Sequence, residues 1–150
     1  MFGMVEVGEK AADFELPAHT GEMVRLSSLR GRRVVLFFYP KDCSPGCTRE
    51  NCMVNDMFSE FERLDAVVIG TSRDGVESHR RFAERHGLKQ LLLSDVDGSV
   101  SRAYGALGFL GASKRKTFVI DRDGTIVKVV DGVLPGRHVK EALETLKQLG

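Results

Sequence analysis

Three cysteines, Cys43, Cys47 and Cys52, fall within ten residues of a 150-residue chain. They lie in the stretch FYPKDCSPGCTRENC, from Phe38 to Cys52, which also holds two of the four prolines. Disulfide frameworks spread their cysteines along a chain; a cluster points instead to thiol reactivity or metal binding in a reducing compartment. Pro45 and Gly46 sit just before Cys47, where a helical pattern begins. A thiol in the first helical turn faces unsatisfied backbone N–H groups and the positive end of the helix dipole. Both favour the thiolate, which is the nucleophilic form. Ser44, three residues upstream, offers a hydroxyl to the thiolate or to an incoming oxygen, and Pro40 can shield the site from water.

Cys52 follows Cys47 by five residues. On an ideal helix their Cα atoms would be roughly 8 to 9 Å apart and about 140° apart around the axis. A disulfide needs Cα atoms within about 7 Å, so bonding this pair requires local unwinding. Cys43 and Cys47, an i to i+4 pair in a loop, are a second pair able to approach. A cysteine on a helix is also often just a small core residue, and that reading stands beside the reactive one for Cys52.

The elements that must hold this stretch follow from periodicity. Phe14 to Leu16 and Met23 to Leu26 alternate around Pro17 to Gly21, the pattern of a hairpin. Ser27 to Gly31 is expected to form a helical turn capped by serine. Val34 to Tyr39 is a continuous apolar run, suited to a central strand buried on both faces. From about Cys47 to Leu64, apolar residues recur at three- and four-residue steps (Val54, Met57, Phe58, Phe61, Leu64), which predicts one amphipathic helix. Short strands are expected at Ala66 to Gly70 and Leu91 to Leu93, and helices at Val76 to His86 and Gly98 to Tyr104. Thr117 to Ile120 and Thr125 to Val130 flank Asp121-Arg122-Asp123-Gly124, a hairpin turn. Gly136 to Leu149 reads as a closing helix. The order predicts an α/β fold in one domain over residues 1–150, with a mixed sheet and helices on both faces.

With 42% hydrophobic residues, the chain can bury a core without disulfide staples. Its 22 basic and 21 acidic residues leave a net charge of +1, which gives no electrostatic reason to expect nucleic acid or an anionic membrane as partner. The opening MFGMVEVGEK lacks a basic segment followed by an apolar run, so no signal peptide is expected. The run from Val34 to Tyr39 is far too short to span a bilayer. A soluble cytoplasmic protein is expected.

The segment from Phe38 to Glu50 resembles the active-site signature of peroxiredoxins, and the Cys47–Cys52 spacing resembles their bacterioferritin-comigratory (PrxQ) subfamily. The likeness extends through GEKAADFELP, Gly70-Thr71-Ser72, Leu92 to Asp95 and Thr117 to Gly124. It implies a thioredoxin-like fold, no cofactor, and thiol-dependent reduction of hydrogen peroxide and organic hydroperoxides. Cys47 would be the peroxidatic cysteine, passing through a sulfenic acid. Cys52 would resolve it to a disulfide, and a thioredoxin-type donor would reduce that disulfide. Pro40, Ser44 and Arg115 would complete the pocket, with Arg115 stabilising the thiolate and polarising the peroxide. Glu50 matches a family glutamate that orients this arginine. The implied state is a monomer, with a dimer as the alternative. The chain departs from the family pattern in carrying serine at position 44 instead of threonine, in the extra Cys43, and in a short apolar segment from Gly105 to Lys114.

Other readings of the same residues are weaker. Thiol–disulfide oxidoreductases use Cys-x-x-Cys, whereas the spacings here are x3 and x4. They also carry a proline before the strand facing their cysteines, and no proline occurs between Pro45 and Pro135. Three cysteines without a fourth, or a paired histidine, fit neither a structural zinc site nor a ferredoxin pattern. His19, His79, His86 and His138 show no ligand spacing, and the arginines between Ser78 and Arg85 are expected on a solvated face. Gly105, Gly108 and Gly111 lack the Gly-Lys-Ser/Thr ending of a phosphate loop and predict a flexible loop.

Overall fold

The computed structural model describes residues 5–150. The opening stretch in which no export signal is expected lies partly outside these residues. The chain forms β1 (Glu15–Pro17), β2 (Met23–Arg25), a 3-10 turn (Leu26–Leu29), β3 (Arg33–Phe38), α1 (Pro45–Asp56), α2 (Phe58–Arg63) and β4 (Ala66–Ser72). It continues through α3 (Val76–His86), β5 (Leu91–Ser94), α4 (Ser99–Ala103), β6 (Lys116–Ile120), β7 (Ile126–Asp131) and α5 (Pro135–Leu149).

The main sheet has the order β5-β4-β3-β6-β7. β3 pairs in parallel with β4 and antiparallel with β6, so the apolar run read as a central strand is indeed the centre of a mixed sheet. Its alternation divides the interior into two cores. Val34, Leu36 and Phe38 point to one face, and Val35, Phe37 and Tyr39 to the other. The second face is covered by α1, α2, α3 and α5 through Val54, Phe61, Phe82 and Leu146. The first is covered by the β1–β2 hairpin and by Val100 and Tyr104 at the short helix α4. Helices therefore lie on both faces, but unequally: the second face holds the long ones.

Three expectations change. The single helix from about Cys47 to Leu64 is two helices that break at Met57, whose φ of −99° and ψ of 10° leave the helical range. The break follows Asn55 and Asp56, weak helix formers, and the Asn55 side chain is drawn aside to accept the Lys89 N–H at 2.9 Å. The turn at Ser27 is not capped by serine. It begins at Leu26, and the Asp13 carboxylate accepts the Ser27 N–H at 2.8 Å. The glycine segment after Gly105 is a hydrogen-bonded turn rather than a flexible loop. Leu107 bridges Ser113, the Gly108 N–H donates to the Ala112 carbonyl, and Arg73 donates to the Gly111 carbonyl at 2.6 Å.

Candidate active site

β3 delivers the chain to the site. Tyr39 extends it by one bond to the Thr71 carbonyl, and Cys43, at a left-handed φ of 66°, reverses the direction into α1. Ser44 is the N-cap, with Pro45 at the first helical position, where its missing N–H and set φ suit a helix start. Cys47 is thus the third residue of α1 rather than its first. Thr48 makes the first helical bond, to the Ser44 carbonyl, so the N–H groups of Gly46 and Cys47 precede the helical ladder. The Ser44 hydroxyl donates to the Lys41 carbonyl at 2.9 Å.

Cys47 is fully buried. Arg115, the residue before β6, reaches it from across the sheet: Nη2 donates to Cys47 Sγ at 3.4 Å. Nη1 donates to Oε1 of Glu50, one turn beyond Cys47 on α1. Only 1% of the Glu50 side chain and 10% of the Arg115 side chain are exposed, so this pair works in a low dielectric. Burial pushes the Glu50 carboxyl up to about 7, against the pull of the Arg115 charge and hydrogen bond. Burial works against the Arg115 charge as well, but Glu50 and the Cys47 sulfur beside it raise its pKa above the ordinary value. A permanent cation therefore faces a buried sulfur at a helix start, an arrangement that stabilises negative charge on the sulfur.

Cys52 lies half-buried further along α1, and all three cysteines are free thiols. Burial, and then the Asp56 carboxylate, push the Cys52 thiol up. Asn51 donates to the Cys47 carbonyl at 3.0 Å, and Gln90 donates to both the Asn51 carbonyl and its side-chain oxygen. These bonds tie the turn between the two cysteines to the segment before β5. Cys43 is exposed. Pro40 and Arg115 open onto a cleft of about 700 Å³ whose walls include Leu107, Phe109, Leu110 and Val133. Phe109 is 97% exposed.

The structure joins Cys47 and Glu50 through Arg115, sets Pro40 with Arg115 on the wall of the adjoining cleft and leaves Cys52 on the same helix. It also adds residues the sequence reading passed over. Asp42 accepts hydrogen bonds from the Tyr39 hydroxyl at 2.6 Å and the Ser78 hydroxyl at 2.8 Å, and pairs with His79 Nδ1 at 2.7 Å. Its own N–H donates to Asp74. His79 is fully buried, so one edge of α3 faces the core rather than solvent. The signal was present: His79, Phe82 and Ala83 share one helical face. Burial raises the Asp42 carboxyl, but His79, Tyr39 and Ser78 together hold it below its ordinary value. Asp42, Asp74 and His79 offer ligand atoms within 4.8 Å of one another. Each is engaged by hydrogen bonds from the protein, so the group is a clamp on the loop before Cys47.

The chain that carries this buried cysteine and the arginine facing it is similar to known proteins over nearly its full length. The model of the AhpC/TSA family matches residues 7–129. The chain belongs to the AhpC/TSA family. It is 42% identical to peroxiredoxin Bcp of Bacillus subtilis, with 97% of each chain covered. A putative peroxiredoxin bcp of Coxiella burnetii is 40% identical, over 95% of this chain and 99% of that one. Among solved structures, peroxidoxin BcpB of Mycobacterium tuberculosis superposes with a TM-score of 0.92 at 40% identity, covering 99% of each chain. Bacterioferritin comigratory protein of Xanthomonas campestris, whose structure concerns alkyl peroxide reduction, gives 0.85 at 31% identity over 90% of each chain. The fold is that of thioredoxin-like peroxiredoxins, and thiol-dependent peroxidase activity goes with this membership. Among the described residues, no helix is long and apolar enough to cross a membrane.

Proposed function

We propose that the chain reduces hydroperoxides at Cys47 and closes a disulfide with Cys52. The observation that carries this reading is the Arg115 guanidinium 3.4 Å from the sulfur of a buried cysteine at a helix start. The Cys47 thiolate attacks the terminal peroxide oxygen. An S–O bond forms, the O–O bond breaks, and the alcohol or water leaves with a proton. Cys47 is then a sulfenic acid. Arg115, hydrogen-bonded to Glu50, is placed to stabilise both the thiolate and the charge that develops along the breaking bond. The Cys52 thiolate next attacks the Cys47 sulfur, an S–S bond forms, and the sulfenic oxygen leaves as water after protonation. A thioredoxin-type dithiol returns both cysteines to thiols by exchange and is itself oxidised to a disulfide.

The second step needs α1 to open. Cys47 and Cys52 both lie within α1, and the helix holds their Cα atoms farther apart than a disulfide allows. Pro40 and the apolar walls of the adjoining cleft suit an organic hydroperoxide as well as hydrogen peroxide.

One experiment tests the reading. The reduced chain is treated with one equivalent of peroxide, and its disulfides are mapped by non-reducing mass spectrometry. A Cys47–Cys52 bridge is expected. Cys47→Ser should abolish turnover, and Cys52→Ser should spare the first oxidation while impairing recycling. Near-normal turnover by Cys47→Ser would defeat the proposal. A thiol–disulfide oxidoreductase would instead reduce insulin without consuming peroxide.

A further inference from the structure

Beside Glu50 lies a small cavity of about 10 Å³ lined by Glu50, Thr117 and His138 among apolar side chains. That is on the order of the space one water needs. Glu50 is fully buried, and among the described residues its Oε2 has no hydrogen-bond partner. Thr117 Oγ1 lies 2.8 Å from His138 Nδ1, and His138 Nε2 lies 2.8 Å from the Gly132 carbonyl.

Donor and acceptor roles along this chain follow from its end. A carbonyl only accepts, so Nε2 carries the imidazole proton. Burial, acting against the Gly132 carbonyl, pushes the His138 pKa down and keeps the ring neutral. Nδ1 therefore accepts, and the Thr117 hydroxyl donates to it. The lone pairs of Thr117 Oγ1 are then acceptors at the cavity wall, as is the carboxylate oxygen of Glu50. When Glu50 is ionised, these two acceptors are joined only by a donor with two hydrogens.

We propose that one water bound between Glu50 Oε2 and Thr117 Oγ1 makes Thr117 and His138 positioning residues for Arg115. The water completes the hydrogen bonding of Glu50, and Glu50 in turn fixes the guanidinium that faces Cys47. Through Gly132, a wall of the adjoining cleft, His138 also ties the cleft to this anchor. The inference rests on Cys47 being the attacking thiol for its catalytic consequence, but not for the water site itself.

The groups facing Glu50 are Arg115 from the end of the preceding loop, itself bonded to Cys47, and Thr117 and His138 from β6 and α5. Around His138 the charged neighbours are Arg115, Arg137 and Asp131. Because Glu50 titrates near about 7, the loss of one donor is readable at accessible pH.

The test is Thr117→Val, which keeps the β-branched shape and removes the hydroxyl, beside Thr117→Ser, which keeps the hydroxyl. The Glu50 carboxyl is titrated by carbon NMR, and the rate of Cys47 oxidation by hydrogen peroxide is measured against pH. In Thr117→Val the Glu50 midpoint should rise by about one pH unit, the effect of one lost hydrogen bond on a buried carboxylate. The acid limb of the oxidation rate should follow it, and Thr117→Ser should match the wild type. A purely structural role for Thr117 would lower stability without moving either midpoint. An unmoved Glu50 midpoint in folded Thr117→Val overturns the proposal. If that variant does not fold, a high-resolution crystal structure of the wild type decides: water bonded to Glu50 Oε2 and Thr117 Oγ1 supports it, and a dry cavity overturns it. The titration needs no peroxide, so a wild type inert to peroxide would sink the functional reading and leave this test standing.

Discussion

Gly46 and Arg115 approach so closely that a Cβ at position 46 would lie 3.1 Å from Arg115 Nη2. The same nitrogen lies 3.4 Å from the Cys47 sulfur. Glycine at position 46 therefore keeps the guanidinium against the thiol. In Gly46→Ala the flexible tip of Arg115 gives way, while the helix start gains about 0.5 to 1 kcal/mol from reduced backbone freedom. The expected outcome is undiminished thermal stability with a slower first oxidation of Cys47, measured by rapid mixing with peroxide. An unchanged rate would show that this contact does not matter to the chemistry.

Asp56 lies four residues after Cys52, one helical turn along α1, and helps burial to keep the Cys52 thiol protonated. Removing that charge in Asp56→Asn should enlarge the thiolate fraction at neutral pH. Disulfide closure should speed up by about two- to threefold, a modest factor because the site is partly solvated. Timed acid quenching after peroxide, followed by counting of free thiols, reads this directly. Closure at the wild-type rate would mean that helix opening, not thiol ionisation, limits the step.

Glu50 should leave a mark on stability. Its carboxyl pKa is raised in the folded chain from 4.5 to about 7, so folding favours the protonated form. This contribution is fully present below about pH 4.5 and is lost as pH rises through about 7, with a span on the order of 3 kcal/mol. Urea unfolding at pH 5 and pH 8 should show a larger loss of stability in the wild type than in Glu50→Gln. Equal losses in the two proteins would place the pH dependence elsewhere.

The Asp42 clamp should matter more than any one of its bonds. Asp42→Ala leaves the buried Tyr39 hydroxyl, the Ser78 hydroxyl and His79 Nδ1 without their acceptor. Breaking one side of such a buried pair costs about 3 to 5 kcal/mol. Ser78→Ala removes a single hydrogen bond and should cost about 1 kcal/mol. Chemical denaturation of both variants checks the ratio, and comparable small losses would mean that the network is not cooperative.

The strand–loop–helix unit was legible because its signals are local. Val34 to Tyr39 is apolar at every position, as a strand covered on both faces must be. Pro45 and Gly46 mark the helix start that leaves Cys47 in the first turn. Periodicity did not reveal the break at Met57, because Val54 and Phe61 remain on one face across it. Nor could it anticipate that three glycines would fold into a turn held by Arg73, a contact spanning 38 residues.

By itself, the sequence determined the order of elements, the two faces of the central strand and the place of Cys47 in the first turn of a helix. Each depends on neighbours within a turn or a strand, and spacing encodes those directly. Only the tertiary structure decided which polar groups meet. Arg115 reaches Cys47 across 68 residues, His79 reaches Asp42 across 37, and His138 reaches Thr117 across 21. A hydrophobic period says which face of an element turns inward but not what stands opposite. The opposite partner is set by the strand order, which places β6 beside β3 and so carries Arg115 to the start of α1.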